Sequence, residues 1–204
     1  KKFNILFSKL IKSFLSKAFA NESIGTPCLT FLKFFDGLYP TLCDGDFLFD
    51  NVLAQLSFTY LVAFIVVKKT PMLQAIVALI CIVVSDLLYR FFPVVGFDQA
   101  FVAGQNFGAW FNVFISGYEY GGHWAAFNAV PTAAHTIWGL MAGQLLMSTS
   151  TNAEKLKRLI IAALICLAFG YTVSTFTPVI KRITTTSFIF LSGGWTILAL
   201  AVCY

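Results

Sequence analysis

Charge is scarce in this chain. Asp, Glu, Lys and Arg make up 11% of its 204 residues, where a soluble domain carries about 25%. With 58% hydrophobic residues and a mean hydropathy of +0.81, too little polar surface remains to solvate a globule of this size. The ten-residue alternation of an outer-membrane barrel is also missing; the apolar runs are instead about 20 residues long, the length of a membrane-crossing helix. The expected fold is all-α: a polytopic transmembrane helical bundle of about five to six spans, integral to a membrane.

Soluble-enzyme signatures are absent too. There is no GxSxG, no P-loop, no HExxH and no paired-cysteine metal spacing. The two histidines lack clustered acids, so no metal site is expected. None of the five cysteines is spaced CxxC. Cys81, Cys166 and Cys203 lie in apolar runs, where Cys behaves as a small hydrophobe. Cys28 and Cys43 share one loop and either pair in an oxidising compartment or remain two thiols. A net charge of +5 would suggest nucleic acid in a soluble protein. Here the basic residues flank the spans, the ordinary positive-inside pattern, so lipid rather than nucleic acid is the expected partner. The chain starts without Met or a signal-peptide pattern, and its last apolar run stops without a polar flank. It reads as a single transmembrane domain over residues 1–204, from the middle of a longer protein. No inverted internal repeat is detectable.

In order, residues 3–20 have helical period with Lys9, Lys12, Ser13, Ser16 and Lys17 on one side. They form either an interfacial amphipathic helix or a span whose lysines snorkel. Residues 21–46 are a Gly- and Pro-containing acidic loop with a glycosylation sequon at Asn21. Residues 47–67 are a span closed by Lys68 and Lys69; residues 72–89 are a second, with Asp86 near its end as an interfacial carboxylate. Residues 91–128 are Gly-broken and aromatic, suiting a re-entrant or interfacial segment. Trp110, Tyr118, Tyr120 and Trp124 fit an aromatic belt or a sugar-stacking surface. Residues 130–147 are a third span, a polar stretch covers 148–158, residues 159–173 are a shorter span, and 187–204 begin a last one.

Counting Lys and Arg puts Lys68, Lys69 and the 155–158 cluster on the cytoplasmic side and Asn128 outside. Only Lys181 and Arg182 fall on the wrong side. Either two charges in a short loop are noise, or something anionic holds them there.

The stretch 121–147 concentrates the chemistry. An ionisable residue at bilayer depth is costly, which makes His135 a functional candidate. His135, Gly139 and Gly143 recur at i, i+4 and i+8 on one helix stripe, and the glycine pair suits a close helix approach. His135 then either handles a proton or binds substrate, or it is a buried histidine bonded to a neighbouring carbonyl or hydroxyl. His123 lies in the Gly-rich approach as an exposed interfacial residue and a second general-base candidate.

Two blocks, GGHWAAFNAVPTAAHTIWGLMAGQLL and TPVIKRITTTSFIFLSGGWTILALAVCY, together with NVLAQLSFTY at residues 51–60, carry a family likeness. In order and spacing they resemble the heparan-α-glucosaminide N-acetyltransferase family, in particular its bacterial NagX-like branch. The resemblance covers about residues 51–204, and residues 1–50 match weakly. It implies a transmembrane acyltransferase of the bacterial inner membrane that passes an acetyl group from acetyl-CoA to the amino group of a glucosamine-type sugar. It further implies Lys181, Arg182, Ser187 and Asn128 as substrate- or cofactor-binding residues, with His135 and His123 supporting catalysis. Lys9 and Lys12 are weaker candidates for the CoA phosphates. Two departures stand: Gln55 replaces the family's Arg in GVLQRIALCY, and no segment matches the family's catalytic His. The main catalytic residue is therefore unknown here. A sugar transporter or permease component is the competing expectation, with a non-catalytic scaffold behind it and a homo-oligomer left open.

Overall fold

The computed structural model describes residues 52–204, all within one compact unit, Phe49–Tyr204. The expectations for residues 3–20 and 21–46, for Lys9 and Lys12, and for the Cys28–Cys43 pair lie outside them.

Every regular element among the described residues is helical. Helix α1 is Val52–Val66, α2 Pro71–Phe91, α3 Phe107–Ser116, α4 Ala129–Leu146, α5 Asn152–Ser174 and α6 Thr186–Cys203. Single 3₁₀ turns at Gly121–His123 and Ala126–Asn128 lead into α4. Local chemistry sets the starts. The Thr70 hydroxyl accepts the Leu73 N–H with Pro71 in the first turn of α2, and Thr151 caps Glu154 N–H at α5. At α3, Asn106 accepts the Ala109 N–H, and Gly117 closes the helix at φ +81°, a left-handed position suited to glycine.

Helices α2, α5 and α6 are long and apolar enough to cross a membrane. Their packed faces are narrow, Ala78 and Ile82 on α2, Ala163 and Leu167 on α5, while Leu79, Ile80, Leu164 and Ile165 are more than half exposed. Such faces are liabilities in water and ordinary in lipid. The class is therefore an all-helical membrane protein.

Two expected boundaries move. The span expected at 159–173 extends back to Asn152, so most of the polar stretch 148–158 is the first turns of α5 rather than a loop. A Thr151 cap and Glu154 at the positive helix end favour helix there despite the charges. The helix expected at 130–147 forms, yet α4 is not among the three long apolar helices. It is the inner helix, packed against α1, α2 and α6, and its Thr132, His135 and Gln144 find hydrogen-bond partners on Gln55, Ile189 and Val67 of that neighbourhood.

The two ends are tied differently. At the near end, Gln74, itself fully buried, donates from Nε2 to the Val66 and Lys69 carbonyls, both at 3.1 Å. Gln144 Nε2 donates to the Val67 carbonyl at 2.9 Å. Lys155 Nζ caps α4 through the Leu146 carbonyl at 2.8 Å, and the Tyr204 hydroxyl reaches Asn152 Oδ1 at 3.0 Å. The far end holds α3, the turns before α4 and the α5–α6 connection. There Phe92, Phe107, Trp110, Phe111 and Phe127 pack as an aromatic cluster with centroids 4.8–5.9 Å apart. Trp110 thus packs among phenylalanines, and Tyr120 is buried with its hydroxyl bonded to Ser116.

Candidate functional site

Polar side chains gather at two levels, the middle of α4 and the far end. In the middle, His135 points at α6. Its Nε2 lies 3.0 Å from the Ile189 carbonyl oxygen and 3.0 Å from Ser192 Oγ. A carbonyl only accepts, so Nε2 carries the proton in this bond. Ser192 Oγ itself donates to the Phe188 carbonyl at 2.6 Å. Trp138 and Phe188 meet the imidazole edge-on. One turn before His135, Thr132 accepts from Gln55 Nε2 at 2.8 Å. Gln55 therefore joins α1 to α4.

The glycine seam lies elsewhere than expected. No described residue comes within 4 Å of a Cβ built on Gly139 or Gly143. The close approaches occur at Gly193, whose Cβ would meet Trp138 at 2.6 Å and His135 Cδ2 at 3.3 Å, and at Gly170 and Gly194, each 2.9 Å from a leucine of the facing helix. Gly193 of α6 thus takes Trp138 of α4, while Gly170 of α5 and Gly194 of α6 let those two helices close on each other's leucines.

At the far end, Asn128 Nδ2 donates to the Arg182 carbonyl, which also accepts the Ala125 N–H at 3.3 Å. Asn128 Oδ1 is buried without a hydrogen-bond partner among the described residues. The side chains of Lys181 and Arg182 are exposed. Ser187 is fully enclosed and donates to the Pro178 carbonyl at 3.1 Å, beside Thr185, whose hydroxyl reaches the same oxygen at 2.8 Å. Asn128, Lys181, Arg182 and Ser187 thus converge on one connection, 175–185, chiefly by shaping its backbone. His123 stands apart: its Nδ1 is 2.7 Å from Glu119 Oε1, both side chains are more than a third exposed, and no hydrogen bond links it to His135.

Residues outside the expected binding set complete this end. Arg90 Nε pairs with Asp86 Oδ2 at 2.7 Å, its other arm reaches the Thr177 hydroxyl, and its guanidinium lies 5.3 Å from the Phe101 ring centre. Thr186 Oγ1 donates to Asp86 Oδ1 at 3.0 Å. Between these groups lies a small recess lined by Ser85, Asp86, Tyr89, Phe101 and Thr184 to Thr186. Asp86 was legible as an interfacial carboxylate, and Arg90 four residues on was the available signal for their pairing. Nothing local marks Ser192 as the partner of His135.

The site therefore belongs to an all-helical membrane protein with a bonded histidine inside its bundle and a polar recess at one end. No protein family, no curated protein and no solved structure matches the chain.

Proposed function

We propose that the protein is a transmembrane acyltransferase of the bacterial inner membrane, moving acetyl from acetyl-CoA to the amino group of a glucosamine-type sugar. The observation that carries the reading is His135, an imidazole inside the helical bundle held through Nε2 by the Ile189 carbonyl and Ser192. Helices α1, α2, α4, α5 and α6 are taken as five spans, and residues 3–20 as a sixth if they cross.

Among the described residues, the near end carries five basic side chains, Lys68, Lys69, Lys155, Lys157 and Arg158, against one acid, Glu154. The far end carries Arg90, Lys181 and Arg182 against Asp86, Asp98 and Glu119. The positive-inside rule puts the near end in the cytosol, where acetyl-CoA is found. Lys68, Lys69, Lys157 and Arg158 suit its phosphates by charge; Lys181 and Arg182, on the opposite side, suit an anionic group there. In the reaction the amine nitrogen bonds to the thioester carbonyl carbon, the C–S bond breaks, and CoA leaves as thiolate. A base removes one amine proton, and His135 is a supporting acceptor for it.

The protein in nanodiscs, given radiolabelled acetyl-CoA and D-glucosamine, is expected to form labelled N-acetylglucosamine. Absence of both acetyl-CoA binding and amino-sugar acetylation would sink the reading. Uptake of labelled sugar into proteoliposomes without acetylation would replace it with a transporter.

A further inference from the structure

We propose that the near end is a docking surface for anionic phospholipid headgroups, formed by Lys68 and Lys69 between α1 and α2 and by Lys157 and Arg158 on α5. It does not require the transferase reading, whose acyl donor would meet the same cations from the water side.

The fold brings the two basic pairs to one place. Gln144, near the end of α4, donates to the Val67 carbonyl, and Lys155 Nζ donates to the Leu146 carbonyl in the last turn of the same helix. The α1–α2 turn and the first turns of α5 therefore flank the end of α4. Both α2 and α5 begin here, capped by Thr70 and Thr151, so two positive helix ends add to the charge.

That charge is left for an outside partner. Lys155 is nearly buried, with its ammonium on the Leu146 carbonyl, whereas Lys68, Lys69, Lys157 and Arg158 are exposed. None of these four side chains has a hydrogen bond or ion pair with a described residue. Glu154 precedes Lys157 and Arg158 at the spacing of helical ion pairs, yet it pairs with neither. The carbonyls nearby are occupied as well, those of Val66, Val67 and Lys69 by Gln74.

Depth decides which anion fits. Arg158 directly precedes Leu159, where the apolar part of α5 begins, and Lys69 comes just before the membrane-length helix α2 at Pro71. At about 1.5 Å of rise per residue, Lys157 and Arg158 lie within about 3 Å of that apolar part along the helix. This is the level of lipid phosphates, and long basic side chains at helix ends reach it by snorkelling.

The test is lipid selectivity of the full chain in phosphatidylcholine bilayers. Trace spin-labelled phosphatidylglycerol or phosphatidylcholine is added, and the motionally restricted fraction is read by electron paramagnetic resonance. Phosphatidylglycerol is expected to be favoured about fivefold at about 0.1 M salt, the effect of one cation at the surface. Most of that preference should vanish at about 1 M salt, where the screening length is about 3 Å. Combining Lys68→Gln, Lys69→Gln, Lys157→Gln and Arg158→Gln should cut the preference to about twofold or less. Lys181→Gln with Arg182→Gln, two exposed far-end positions, should leave it unchanged. Equal preference in the fourfold variant and the wild type would overturn the proposal, as would a wild-type preference indifferent to salt or one lost in the far-end variant. Millimolar acetyl-CoA is expected to leave the preference in place; its abolition would assign the cations to a soluble phosphate and overturn the lipid surface.

Discussion

His135 and Ile189 sit 54 residues apart in sequence, yet His135 Nε2 lies 3.0 Å from the Ile189 carbonyl oxygen. That carbonyl belongs to the first turns of α6, so the imidazole ties the inner helix to a lipid-facing one. Replacing His135 with Ala removes this bond and the one to Ser192. We expect a loss of about 1–3 kcal/mol of stability, read as a lower midpoint in thermal unfolding in detergent. An unchanged midpoint would show that the bond does not hold the helices.

Two glycine substitutions should separate cleanly. Gly193→Ala places a Cβ 2.6 Å from Trp138, and overpacking of this kind costs about 1–3 kcal/mol. Gly139→Ala meets no described residue and should be near neutral or slightly stabilising, since Ala favours helix over Gly by about 1 kcal/mol. The reverse ranking of thermal midpoints would mean that something outside the described residues packs on α4.

Gln74 serves three carbonyls at the end of α1, those of Val66, Val67 and Lys69. Gln144 shares the Val67 carbonyl. Gln74→Leu should leave these acceptors short of donors and cost about 1–3 kcal/mol. Hydrogen exchange of the amides around 66–70 should speed up most. In a double-mutant cycle, Gln144→Leu should couple to Gln74→Leu because they share an acceptor.

The Asp86–Arg90 pair is about one-third exposed on both sides, so screening limits its worth to about 0–1 kcal/mol. Arg90→Gln should therefore cost little through charge, with most of its effect from losing the Thr177 contact. Raising ionic strength should shift the wild-type midpoint by only a small amount; a large salt dependence would contradict this.

Orientation is open to direct labelling. In a cysteine-free background, Lys181→Cys should react with a membrane-impermeant maleimide added outside intact cells, and Lys157→Cys only after permeabilisation. The opposite pattern would invert the proposed topology and with it the side assigned to acetyl-CoA.

Helix positions were largely legible because they depend on local properties. Apolar length placed α2 and α6 within two residues, and the Thr70-Pro71 start needed no tertiary contact. The start of α5 was missed because Lys155, Lys157 and Arg158 looked like loop polarity, whereas Lys155 folds back onto the Leu146 carbonyl. At the site, the convergence of Asn128 with Arg182 was half visible, since both lay in the blocks that carried the resemblance, but their contact runs through a backbone carbonyl that no side-chain pattern reveals.

By itself the sequence determined that the chain is helical and apolar enough for a membrane, where its helices run and which end is basic; these follow from hydropathy, period and caps that act within a few residues. Only the tertiary structure decided that α4 is the inner helix, that among the described residues Gly193 rather than Gly139 takes the close contact, and that His135 answers to Ile189 and Ser192. The reason is range. Each of those outcomes depends on which faces meet across 50 or more residues of chain, and a glycine on an α-helix looks the same in sequence whether a tryptophan or open space lies opposite.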